Sequence, residues 1–132
     1  MRSVVQLKGD RAEAKVTRWQ KIAQEAAEQC ERGKVPVVDV PEALKDLVIP
    51  DGTLAYVLSE RVTGPSLVKA LPPHPPMAVA LFVGPEGGWA PEELDRLRAM
   101  GVSEISLGRR ILRTETAGLA ALAILMATYE LR

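Results

Sequence analysis

Two short stretches of this chain hold the residue types that chemistry needs. They are Phe82-Val83-Gly84-Pro85-Glu86-Gly87-Gly88-Trp89 and Leu107-Gly108-Arg109-Arg110-Ile111-Leu112-Arg113-Thr114-Glu115-Thr116-Ala117. In the first, three glycines let backbone approach a flat ligand closely and take positive φ where a turn demands it. The stretch lacks the Lys-Ser/Thr ending of a phosphate-binding P-loop, and its spacing does not fit the dinucleotide pattern GxGxxG. It is either a plain strand-to-helix turn or the wall of a different kind of site. The second stretch offers Arg113, whose guanidinium is permanently charged and donates in a fork. Arg113 would stabilise developing negative charge or hold a phosphate; the plainer alternative is an ion pair with Glu86 or Glu115. Glu115 would be a weak base, because the start of a helix favours its anion.

These stretches need elements to hold them. Ala78–Val83 is a continuous apolar run that reads as a strand covered on both faces, and Thr53–Leu58 is a second, introduced by the turn-like Pro50-Asp51-Gly52. Pro91–Met100 reads as a helix with proline in its first turn and acidic residues near its positive end. Gly101 ends it, and Val102–Leu107 returns as a strand. Thr114–Leu131 is a final helix, apolar nearly all round through Leu119, Leu122, Ile124, Leu125 and Met126, so it must lie inside a core or against a partner chain. Upstream, Glu13–Cys30 is helical, Val35–Val40 reads as a short strand whose Pro36 sets it near a sheet edge or at a strand start, and Pro41–Leu47 suits a short helix. Strands alternating with helices give an α/β fold with a mostly parallel sheet flanked by helices. Both chemical loops follow strands, and ligands of such sheets bind at the carboxyl ends of the strands.

Composition narrows the options. The chain has 132 residues, enough for one domain with its own core. Seventeen basic residues balance seventeen acidic ones, so the overall basic surface of an autonomous nucleic-acid binder is missing. Basic residues concentrate locally: eight Lys/Arg against five Asp/Glu in residues 1–34, and Arg109, Arg110 and Arg113 close together. One cysteine (Cys30) and one histidine (His74) leave no intrachain disulfide and no zinc site of several Cys or His ligands, so no metal is expected. Cys30 reads as a small helix residue, and His74 as an inert exposed residue in the loop Leu71–Pro76. The longest apolar run, Ala117–Ala127, is about half the roughly 20 residues a membrane span requires. The expectation is a soluble protein in the reducing cytoplasm.

The motif VGPEGGW (Val83–Trp89), then a helix, then ISLGRRILRTETA (Ile105–Ala117), resembles the paired signature of the bacterial small-subunit rRNA (uridine-N3) methyltransferases. Arg18-Trp19-Gln20-Lys21-Ile22, with Glu25–Arg32 and Val35-Pro36, resembles that family's helix and following segment. The resemblance covers nearly the whole chain. It implies a SPOUT-type α/β fold with a trefoil knot at the C-terminal end, a feature that periodicity alone never suggests. It implies S-adenosylmethionine as cofactor, S-adenosylhomocysteine as product, and ribosomal RNA or the small ribosomal subunit as partner. A homodimer is implied too, which suits an apolar final helix as its interface. Family members begin with a small β-rich, PUA-like RNA-binding domain and then a strand and helix. The expectation is that residues 1–132 form the cofactor-binding domain alone, opening at Arg2-Ser3-Val4-Val5 beyond those parts.

On this resemblance three strand-end loops would build the cofactor pocket: Leu58-Ser59-Glu60; Val83, Gly84, Pro85, Glu86, Gly87 and Gly88; and Ser106, Leu107, Gly108, Arg110, Ile111, Leu112 and Arg113, with Thr116 nearby. Backbone groups would read the adenine edge, and Leu107, Ile111 and Leu112 would supply an apolar slot. Arg113 and Glu115 are the catalytic candidates, because the uridine N3 proton must be taken by a base or its anion stabilised. Glu86 would brace the knot by accepting backbone N–H bonds. Arg109 and Arg110 would touch RNA phosphate, or else form a solvated pair. Thr114 and Thr116 would cap the helix with their hydroxyls, and Trp19 and Trp89 would stack a base or pack. Two other readings stand beside methylation of uridine N3 in 16S rRNA: a knotted methyltransferase of another RNA such as tRNA, and a catalytically silent, dimerising cofactor-binding module.

Overall fold

The structure is a computed structural model and describes residues 9–59 and 64–130. The described chain divides into two compact units, residues 9–47 and 48–130, and the chemical loops all belong to the second.

In the first unit, helix α1 runs Asp10–Gln29, with the acidic Asp10 and Glu13 in its first turn facing the positive end of the helix dipole. Its chain exits through Glu31 at φ 57°. The expected short strand at Val35–Val40 does not form. Its backbone is satisfied instead by one side chain: the Gln20 amide donates to Pro36 O and accepts from Val38 N, both at 2.8 Å. An extended segment thus pairs with a side-chain amide, so its strand-like composition found no strand partner. The helix expected at Pro41–Leu47 shrinks to a single 3₁₀ turn, Leu44–Asp46, flanked by extended Ala43 and Leu47.

In the second unit, β1 (Thr53–Leu58) lies between β2 (Ala78–Val83) and β3 (Ser103–Ile105), all parallel. Leu58 pairs with Val83 on one side and Ile105 on the other, so the three strands end level. Strand β3 is shorter than Val102–Leu107 because β1 offers no partner beyond Leu58; Ser106 continues only as a bridge to Ser66. Helix α2 (Leu67–Ala70) is a turn the sequence reading missed, although Ser66 caps it by accepting from Lys69 N. Helices α3 (Pro91–Ala99) and α4 (Thr114–Tyr129) fall close to the expected bounds.

Side chains alternate across the sheet. On one face Tyr56, Leu58, Leu67, Leu71, Ile105 and Ala121 form a buried cluster. Val79, Leu81, Val83, Ala117, Ile124, Leu125 and Tyr129 close around it. The tyrosine hydroxyls find partners there, Tyr56 donating to Ala70 O (3.2 Å) and Tyr129 to Pro72 O (2.8 Å). Val57, whose side chain belongs to the other face, is fully buried, as is Leu97 of α3. Helix α4 is not fully internal: Leu119, Leu122 and Met126 remain exposed along one stripe. His74 is exposed in its proline-rich loop.

Candidate functional site

Because β1, β2 and β3 end level, the three segments that follow them converge at one end of the sheet. Between them lies a cavity of about 480 Å³, within the range of small-molecule sites. Leu58 and Ser59 contribute one wall. Val83, Gly84, Pro85, Gly87 and Gly88 contribute a second, and Leu107 through Leu112 a third. Three loops distant in sequence thus meet at one cavity.

Each wall has a local cause. The second turns through a hydrogen bond from Gly88 N to Pro85 O at 2.9 Å, with Gly88 at φ 74°, a conformation other residues adopt only with strain. Ala90 N then donates to the Glu93 carboxylate at 2.8 Å, which fixes the entry to α3. On the third wall Leu107 also packs on the core cluster, so one side chain joins cavity to core. Arg109 and Arg110 are exposed at the rim and make no ion pair among the described residues.

Several expected residues lie elsewhere. Ser106 is buried, 6% exposed, and its backbone bonds Pro65 and Leu67 rather than facing the cavity. Glu86 is exposed, does not line the cavity and makes no hydrogen bond among the described residues, so it braces nothing there. Arg113, Glu115 and Thr116 are exposed and do not line it either. Helix geometry explains this: with α4 starting at Thr114, Thr114 and Ala117 share the face lining the cavity, while residues 115 and 116 are rotated away. Arg113 instead contributes its carbonyl, which accepts from Thr116 N and Ala117 N, and pairs with neither Glu86 nor Glu115. The helix has no side-chain cap, so Thr114 and Thr116 do not cap it. Glu60 lies outside the described residues.

The cavity also has a wall that sequence reasoning missed: Trp89, Pro91, Leu94, Asp95 and Arg98, with Glu104 and Ile105 of β3. The Arg98 guanidinium spans two carboxylates, Asp95 at 2.8 Å and Glu104 at 2.5 Å, and so ties α3 to β3. A signal was present, since residues 91, 94, 95 and 98 share one helical face. Among the described residues no three His, Cys, Asp or Glu side chains gather as a metal site.

The geometry can be set beside known proteins. Residues 1–126 match the family model described as the RNA methyltransferase domain. The chain belongs to that family. It is 40% identical over 121 residues to the ribosomal RNA small subunit methyltransferase E of Synechocystis, an alignment covering 88% of this chain and 40% of the relative. It is 38% identical to the protein of that name from Bacillus subtilis, over 98% of this chain and 54% of the relative. Among solved structures, a methyltransferase of Legionella pneumophila in complex with the cofactor SAM superposes with a TM-score of 0.86 at 34% identity, covering 97% of this chain and 52% of that one. The ribosomal RNA small subunit methyltransferase E of Neisseria gonorrhoeae, bound to S-adenosyl methionine, gives 0.80 at 34% identity, over 96% and 53%. The chain spans about half the length of these relatives.

Proposed function

We propose that this chain is the cofactor-binding part of an S-adenosylmethionine-dependent methyltransferase acting on N3 of a uridine in small-subunit ribosomal RNA. The observation that carries the reading is the cavity where three strand-end loops converge, in a chain whose fold matches two structures solved with that cofactor. When bound, S-adenosylmethionine supplies a methyl group already activated on a sulfonium.

The residues present fit such a group. Glycine-rich backbone at Gly84–Gly88 suits close approach to a flat base, and Leu107 and Leu112 suit its faces. The reaction leaves one proton from N3 to be removed, and a developing charge on the uracil oxygens to be stabilised. Arg113, exposed at the start of α4 and without an ion pair among the described residues, is available for that charge or for a phosphate, and Glu115 for the proton. Arg109 and Arg110 at the rim suit the RNA backbone, and a cytoplasmic setting, where ribosomal RNA is met, is part of the same proposal.

The reading extends to a C-terminal knot. Strand β3 lies between two parts of one earlier segment: Ser59 N donates to Ile105 O, while Ser106 N donates to Pro65 O and Leu67 N to Ser106 O. Ser59 and the Pro65–Leu67 segment thus bond to successive residues at the end of β3, a close association of the two loops that supports the knotted reading. It extends also to a homodimer, supported by the exposed stripe Leu119, Leu122 and Met126 on α4.

The test is calorimetric titration with S-adenosylhomocysteine, then methyl transfer to undermethylated small subunits with the modified nucleotide identified. Saturable binding near one site per chain with N3-methyluridine formed is the expected result. Binding without transfer to any RNA would leave a silent cofactor-binding module, and a folded chain that binds nothing would overturn the reading.

A further inference from the structure

We infer that Trp89 is a positioning residue of this cavity, a brace that holds the glycine loop at a fixed height over the end of β1 before any ligand arrives. The inference rests on the cofactor reading above and concerns a residue outside the predicted pocket set.

Two contacts carry it. The indole Nε1–H of Trp89 donates to the carbonyl of Leu58, 3.2 Å away and thirty-one residues earlier in the chain. Leu58 is the last residue of β1 and itself lines the cavity. The same indole lies directly over Gly84, the residue that follows β2. A Cβ built on Gly84 would sit 2.9 Å from Trp89 Nε1 and 3.1 Å from both Cδ1 and Cε2, distances real Cβ atoms scarcely tolerate. One side chain thus touches the ends of both strands, and the Pro85–Gly88 turn folds the chain back to place it there.

The chemistry is specific to tryptophan. The Leu58 carbonyl belongs to the last β1–β2 pair, and it accepts the indole N–H at that strand end. Phenylalanine or leucine would fill the space but leave that part-buried acceptor without its partner. Gly84 is the complementary half, because only its missing side chain admits the ring. With the brace in place, the wall at Leu58–Ser59 and the wall at Gly84–Gly88 keep their separation, and binding need not spend free energy on ordering the loop.

The test is S-adenosylhomocysteine binding by calorimetry on the full chain, with melting temperatures for every variant. W89F is expected to bind roughly three- to tenfold more weakly, the effect of losing one neutral hydrogen bond, while remaining folded. G84A is expected to bind more weakly still, and W89L in the G84A background to restore affinity to that of W89L alone, the coupling expected of residues in contact. In a W19F chain Trp89 is the sole tryptophan, and its emission should change saturably with the calorimetric midpoint. That signal uses the native brace and stands even where a variant unfolds. Unchanged affinity in W89F, a G84A defect undiminished by W89L, or emission blind to saturating ligand would each overturn the brace while wild-type binding upholds the pocket. A wild-type chain that does not bind overturns both.

Discussion

Replacing Leu122 by glutamate tests the proposed dimer through α4. Leu119, Leu122 and Met126 recur at three- and four-residue steps and are 69, 52 and 48% exposed. At roughly 1.5–3 kcal/mol for full burial of such a side chain, covering what remains exposed contributes about 2.5–5 kcal/mol per stripe. A two-fold interface counts the stripe twice, giving about 5–10 kcal/mol. Association costs about 4–15 kcal/mol, so the stripe about matches that cost and no member is spare. Leu122→Glu removes its share on both copies, about 1.5–3 kcal/mol in total, and places two carboxylates where water is being expelled. The dimer should weaken by more than about a hundredfold, since each 1.4 kcal/mol is a factor of ten. Sedimentation velocity across a dilution series reads this directly, with a dimer for the wild type and a monomer for L122E at the same concentration. Because Leu122 is already half-exposed, the monomer's fold should be unaffected and its circular dichroism unchanged. A wild type that sediments as a monomer at every concentration, or an L122E chain that dimerises as before, would refute the reasoning.

Other residues give sharper tests of the cavity and core. Leu107→Asp puts a carboxylate on the side chain that joins core and cavity; S-adenosylhomocysteine affinity should fall beyond calorimetric detection, and retained affinity would remove Leu107 from the site. Gly88→Trp imposes a side chain at φ 74° on the turn and should likewise abolish binding, read by the same titration. Arg113→Ala lies outside the cavity lining, so cofactor affinity should hold while methyl transfer to small subunits falls at least tenfold; transfer at the normal rate would strip Arg113 of its role. Burial, with the neighbouring Tyr129 second, raises the Tyr56 phenol above its usual 10.0. The stability gained by keeping it neutral is therefore complete below pH 10 and lost as pH climbs through the higher folded value. Tyr56→Phe should cost about 1 kcal/mol at neutral pH through the lost bond to Ala70, and should unfold with a shallower loss of stability above pH 10.

The elements carrying the strongest periodic or apolar signal were legible in the sequence. Thr53–Leu58 and Ala78–Val83 are strands with the bounds their apolar runs predicted, because a nearly continuous apolar run between turn residues leaves few polar positions to blur its ends. Where propensity and partner part company, reading fails. Val35–Val40 has strand composition, yet a strand exists only if another strand faces it, and here Gln20 occupies both backbone groups that a neighbour would have used. β3 stops at Ile105 for the same reason, since its length is set by where β1 ends. No local pattern at residues 102–107 contains that information.

The site divides along a similar line. The two loops that follow Ala78–Val83 and Val102–Leu107 could be placed at a site because ligands of parallel sheets bind where the strands end; the loop after Thr53–Leu58 is supplied by the resemblance. Which side chains of α4 line the cavity depends instead on helical phase: starting at Thr114 places residues 114 and 117 on the cavity face and turns Glu115 and Thr116 away. The residues with the most chemical character at the loop's end, Arg113 and Glu115, thereby lie outside the cavity lining. If they act, they do so at its rim, on a second molecule that approaches from solvent. That is the placement a bisubstrate reaction needs, with one ligand held in the enclosed cavity and the macromolecular one met by exposed charge. A polar, rotamer-rich side chain left exposed loses entropy only when its partner docks. Arg113 should therefore matter little to affinity for the small ligand and much to affinity for RNA, the latter falling steeply with added salt.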